Sequence, residues 1–125
     1  MVKKNICVFC GASSGSSPDF ITLAEKIGKM IGENNFNLIY GAGSTGLMGA
    51  CAKSALQSGA KVFGVMPNFL ARIEKPLDGI NTKFTTTMRS RKAIMYKKAS
   101  LFIILPGGIG TLDECVAVSY THLTL

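Results

Sequence analysis

The ten residues Leu105 to Glu114, L-P-G-G-I-G-T-L-D-E, constrain the fold of this chain more than any other stretch. They follow a run of pure strand character, Ser100 to Ile104. They end in Thr111-Leu112-Asp113-Glu114, the T-x-x-E spacing of a helix N-terminal capping box. A strand that breaks into three glycines and then opens a helix offers bare backbone N–H groups at a positive helix end. Such a turn suits a phosphate or another anion. The carboxylate of Glu114, one turn into that helix, would then be available for chemistry beside it.

The same grammar occurs twice more. Asn5 to Cys10 is almost wholly apolar, as a strand buried on both faces would be, and runs into G-A-S-S-G-S-S at Gly11 to Ser17. Pro18 suits a first helical turn, and Phe20, Leu23, Ala24, Ile27 and Ile31 keep helical spacing to about Glu33. Phe36 to Tyr40 predicts a second strand, followed by Gly41-Ala42-Gly43-Ser44-Thr45-Gly46 and a helix of small residues over Leu47 to Ser58. Lys61 to Met66 predicts a third strand, Pro67 to Asn81 a less regular connection, and Lys83 to Thr87 a short β-rich run. Met88 to Ala99 predicts a helix and Ser100 to Leu105 the last clear strand.

Strands alternating with helices imply right-handed βαβ crossovers. The expected architecture is one α/β domain over residues 1–125, a Rossmann-like, doubly wound parallel sheet in three layers. Ligands of such sheets bind beyond the carboxyl ends of the strands, where all three glycine-rich loops fall. Ser119 to Leu125 has little helical pattern, and the helix begun at Thr111 has barely two turns before it. The sequence is therefore expected to be C-terminally truncated, with residues 119–125 a truncated or non-native tail.

Composition narrows the function. Hydrophobic residues make up 47% and charged residues 17%, with 14 glycines, which favours extensive burial and argues against a helix bundle. The formal charge of +7 fits either a nucleic-acid surface or a pocket for a small phosphorylated ligand. Basic residues are scattered except at Arg89, Arg91, Lys92, Lys97 and Lys98, and no aromatic-rich basic run is present to stack bases. No nucleic-acid partner is expected. The apolar run after Lys4 is too short for a signal segment, and no stretch approaches the length of a membrane span. A cytoplasmic protein without a membrane partner is the expectation.

Cys7 and Cys10 form a C-x-x-C inside a predicted strand, where residues three apart point to opposite faces. No second close pair completes a zinc site with Cys51 and Cys115, so reduced, half-buried thiols and no metal are expected. His122, in the doubtful tail, is the sole histidine, which leaves a Ser-His-Asp or Cys-His mechanism without a base.

Gly41-x-Gly43-x-x-Gly46 fits the dinucleotide fingerprint in its strand-to-helix setting. The acid that would hold a ribose hydroxyl is missing from the end of the next strand; Glu74 and Asp78 are the nearest, in the loop beyond. A phosphate loop of another kind and a structural tight turn both remain open. On the helix from Met88, the residues Met88, Arg91, Lys92, Met95 and Ala99 share one face, so that two cations sit on its apolar side. Either both snorkel to water, or both reach a cleft and grip a phosphate or carboxylate. Glu114 either caps its own helix or faces a ligand opposite Arg91.

Together these residues resemble the LOG family, the cytokinin riboside 5'-monophosphate phosphoribohydrolases long labelled as lysine decarboxylases. C-V-F-C-G-A-S-S-G at Cys7 to Gly15 looks like the family's first loop. G-A-G-S-T-G-L-M-G at Gly41 to Gly49 resembles its second, with Ala42 in place of a glycine. M-R-S-R-K at Met88 to Lys92 and P-G-G-I-G-T-L-D-E at Pro106 to Glu114 resemble its two signatures, with Arg89 where many members carry His.

The resemblance implies cleavage of the N-glycosidic bond of AMP or an N6-modified AMP, without any cofactor, in a homodimer. It makes Arg91 and Glu114 the catalytic pair. It places the substrate on Pro106, Gly107, Gly108, Ile109, Gly110 and Thr111, with Met88 and Lys92 beside Arg91, and with Ser13, Gly43 and Glu74 from the earlier loops. Molybdenum-cofactor carrier proteins resemble the same family, which makes a non-enzymatic nucleotide or cofactor carrier the alternative.

Overall fold

A computed structural model describes residues 4–9 and 18–105. The elements run β1 (Asn5–Phe9), α1 (Pro18–Glu33), β2 (Asn37–Tyr40), α2 (Gly46–Gln57), β3 (Val62–Pro67), α3 (Asn68–Ala71), β4 (Asn81–Thr85), α4 (Met88–Lys98) and β5 (Leu101–Ile104). Within the described residues the expected strands and helices are present, with two local differences, and the helix expected from Thr111 lies outside them. The connection after β3 holds a short helix, α3. The β-rich run begins and ends two residues earlier than expected; it stops at Thr85 because Thr87 caps α4, its side chain accepting from the Ser90 amide.

All five strands are parallel, in the order β4-β3-β2-β1-β5. Alternation along each strand sorts the core into two halves. Ile6, Val8, Leu38, Tyr40 and Val62 pack with Ala24, Ile31, Leu47, Cys51 and Ala55 under α1 and α2. Cys7, Phe9, Ile39 and Val65 face Met95 of α4, with Phe63, Ile94, Tyr96 and Phe102 packed around them. Helices on both faces give the three layers of the doubly wound class.

The chain turns direction across the sheet between β1 and β5. Phe9 lies opposite Ile104 there, and the Leu105 amide continues the pairing to the Phe9 carbonyl at 2.8 Å. A crevice at such a switch point is the usual ligand position. The strands ending on either side of it are the two that lead into Gly11 to Ser17 and into the P-G-G stretch.

Candidate active site

β2 ends at Tyr40 in a loop that only compact residues can follow. The Tyr40 hydroxyl donates to the Gly43 carbonyl at 2.8 Å and folds the loop back over its own strand. Ala42 adopts φ 69°, a left-handed conformation unusual for a residue with a side chain. Gly46 (φ 63°) then opens α2. The Gly41-x-Gly43-x-x-Gly46 pattern is thus a strand-to-helix turn at the carboxyl edge, as its spacing suggests.

Arg91 is the polar centre of the described site. Its residue is 7% exposed. Nε donates to the Val65 carbonyl and Nη2 to the Gly41 carbonyl, both at 2.8 Å, and Nη1 approaches the Met88 sulfur at 3.7 Å. One guanidinium therefore ties α4 to β3 and to the loop after β2. A β-carbon at position 41 would overlap Nη2, so glycine there is a requirement of the arginine. Hydrogen bonds to a charged group contribute about 1.5–3 kcal/mol each, enough to hold the cation in a fixed pose.

This arrangement decides between the two readings of Arg91 left open by the sequence and separates it from Lys92. Arg91 does not snorkel: its charged head is the buried part. Nor does it share its setting with Lys92, since Arg91 turns into the sheet while Lys92 is half-buried in a groove with Met88, Arg89, Ala93 and Tyr96. Met88, on the same predicted face, is 36% exposed and reaches the site only through its sulfur.

Glu74 lies between α3 and β4. Its amide donates to the Leu70 carbonyl at 2.8 Å. Its Oε1 is buried and has no hydrogen-bond partner among the described residues. The carboxylate rests over Gly43, where an added β-carbon would stand 3.0 Å from Oε1 and 2.8 Å from the Met48 sulfur. Gly43 and Glu74 are therefore brought together, 31 residues apart in sequence. A buried carboxyl oxygen without a partner is costly, and the partner that fits it is a hydrogen-bond donor.

Ser13, Pro106, Gly107, Gly108, Ile109, Gly110, Thr111 and Glu114 lie outside the described residues, as do Cys10, Cys115, His122 and the tail. Among the described residues Cys7 and Cys51 form no disulfide, and they are fully buried rather than half-buried, at 0% and 1% exposure. Burial pushes the Cys51 thiol up to about 12, which leaves it protonated and inert. Among the described residues no three His, Cys, Asp or Glu side chains gather as a metal site would need. No described helix is long and apolar enough to cross a membrane.

The backbone partners of Arg91 could not be read from sequence, since a carbonyl carries no residue code. Tyr40 beside a glycine loop was the available signal for the bond to Gly43.

Comparison with known proteins gives the chain its family. A family model described as possible lysine decarboxylase matches residues 48–124. The cytokinin riboside 5'-monophosphate phosphoribohydrolase LOG7 of Arabidopsis thaliana is 42% identical over 116 residues, covering 92% of this chain and 54% of that protein. The cytokinin riboside 5'-monophosphate phosphoribohydrolase of Rhodococcoides fascians is 40% identical, covering 98% of this chain and 63% of its own length. The chain thus spans roughly half to two thirds of these relatives. In structure it is similar to the molybdenum cofactor carrier protein of Chlamydomonas reinhardtii, with a TM-score of 0.84 at 21% identity over 97% of this chain and 73% of that one. The molybdenum cofactor binding protein of Rippkaea orientalis gives the same score and identity over 98% and 74%. At that identity the likeness speaks for the fold, and the matched family model speaks for descent: the chain belongs to the possible lysine decarboxylase family, the LOG family.

Proposed function

We propose that this chain carries the active site of a phosphoribohydrolase, which cleaves the N-glycosidic bond of a nucleoside 5'-monophosphate such as AMP or an N6-modified AMP. The products would be free base and ribose 5-phosphate. The observation that carries the reading is the buried Arg91 guanidinium, fixed by the Gly41 and Val65 carbonyls within the M-R-S-R-K helix. The activity for which the relatives are named supports the substrate class.

Cleaving this bond builds positive charge on the ribose. In the proposed mechanism the Glu114 carboxylate stabilises that charge and orients water, by analogy with glycosidases. Arg91 polarises the leaving side from its fixed position, so no reorganisation is needed as charge develops. The P-G-G-I-G-T backbone holds the phosphate, and Glu74 accepts a hydrogen bond from a donor on the nucleotide. No cofactor enters this scheme. We place the protein in the cytoplasm.

A homodimer is part of the same reading. Phe69, Ile73, Phe84 and Met88 are exposed apolar side chains in the segments beside the ends of β3 and β4, a surface that a second copy would cover.

Incubation with AMP and with prenylated AMP, assayed for free base, tests the activity. Glu114→Gln is expected to keep nucleotide binding and lose base release; normal adenine release by that variant would remove Glu114 from the mechanism. Tight binding without release by the unaltered chain would instead favour a carrier, the reading that the fold neighbours suggest.

A further inference from the structure

The segment bearing Glu74 is fastened to the glycine loop at two points. The left-handed turn at Ala42 presents its carbonyl to the Leu77 amide, at 3.2 Å. Ser44 Oγ donates to the Lys75 carbonyl, also at 3.2 Å. Both bonds join the β2–α2 loop to residues just after Glu74, on a connection that otherwise crosses from α3 to β4 over nine residues, numbers 72–80. The Gly43 carbonyl, on the same loop, is already held by Tyr40.

Ser44 has no competing duty at the helix start. Thr45 occupies the N-cap position of α2, and no side chain caps that helix. The Ser44 hydroxyl is therefore spent across the loop, 31 residues away in sequence.

We propose that Ser44 is a positioning residue. Together with the Ala42 carbonyl it latches the β3–β4 connection onto the glycine loop and thereby sets the Glu74 carboxylate over Gly43, ready to accept from the nucleotide. This rests on the nucleotide reading given above. Ser44 touches no substrate in this scheme, so its loss should weaken nucleotide capture more than turnover. A single neutral, partly solvated hydrogen bond changes a local equilibrium by about threefold to tenfold. That is the size of effect to seek.

The full chain and the variants Ser44→Ala, Ser44→Thr, Glu74→Gln and the Ser44→Ala/Glu74→Gln double are assayed for adenine release from AMP. Amide exchange at Leu77 is followed in parallel. Ser44→Ala is expected to raise KM about fivefold with kcat within about twofold, and to speed Leu77 exchange by a similar factor. Ser44→Thr, which keeps the hydroxyl, recovers most of both losses. In the Glu74→Gln background Ser44→Ala adds little, since the group being positioned is gone.

Unchanged KM in Ser44→Ala, or full additivity in the double variant, would overturn the proposal. A parent chain that releases no adenine overturns the phosphoribohydrolase reading instead. The latch is then judged at Leu77 alone: unchanged exchange in Ser44→Ala refutes it, and faster exchange upholds it.

Discussion

The two faces of the sheet are built on opposite terms. On the face covered by α1 and α2, the two helices meet each other backbone against backbone. A β-carbon on Gly28 would press into the Cys51 carbonyl and stand 2.9 Å from the Ala55 amide nitrogen, and one on Gly32 would meet Ser58. The buried residues there are almost all apolar. On the other face, among the described residues, α4 covers the sheet with larger groups. Phe9 stacks with Phe102 at 6.1 Å, Tyr96 meets both edge-on, and Arg91 is buried beside the carboxyl edge. The first face contributes stability without chemistry. The second binds its stability to a charge, so under the proposed mechanism one residue would serve both folding and catalysis.

That contrast breaks most visibly at Arg91. Arg91→Lys keeps a positive charge but replaces the planar fork with a point donor, which cannot reach the Gly41 and Val65 carbonyls in the same geometry. A loss of about 3 kcal/mol or more is expected, together with loss of base release. Urea unfolding and an adenine assay on the same preparation test the coupling. A stable but inactive Arg91→Lys would mean that the anchor matters little to folding.

Gly28→Ala probes the other face. Overpacking at a helix crossing should cost about 1–3 kcal/mol, with adenine release per folded molecule unchanged. Reduced kcat in the folded fraction would show that the two faces are not independent.

The smallest effect concerns Cys51. Its pKa is raised on folding, so the folded chain favours the protonated thiol. The associated stability is complete below the unfolded pKa of 9.0 and is lost as pH rises toward about 12. At pH 8 iodoacetamide should leave Cys51 unmodified in the native chain and label it in urea. Native labelling would show that the packing of α1 on α2 opens readily.

The fold was legible because its signals are local. Apolar runs buried on both faces, glycine breaks and helical spacing each occupy fewer than twenty residues, and they located every main element to within about two positions. Pairing of Glu74 with Gly43 depends on a connection folding back across the loop, and no periodicity encodes that. The shared face of Arg91 and Lys92 was a projection onto an ideal helix, which cannot say which neighbour turns inward. Two backbone carbonyls decided it in favour of Arg91.

Because Arg91 is held by main-chain oxygens, its place does not depend on the identity of the side chain at position 65. Constraint concentrates on position 41, where any side chain collides with the guanidinium. Substitutions around the rim can therefore accumulate while the cation stays where it is. A lineage built on this anchor has freedom to reshape the rim and little freedom to move the charge.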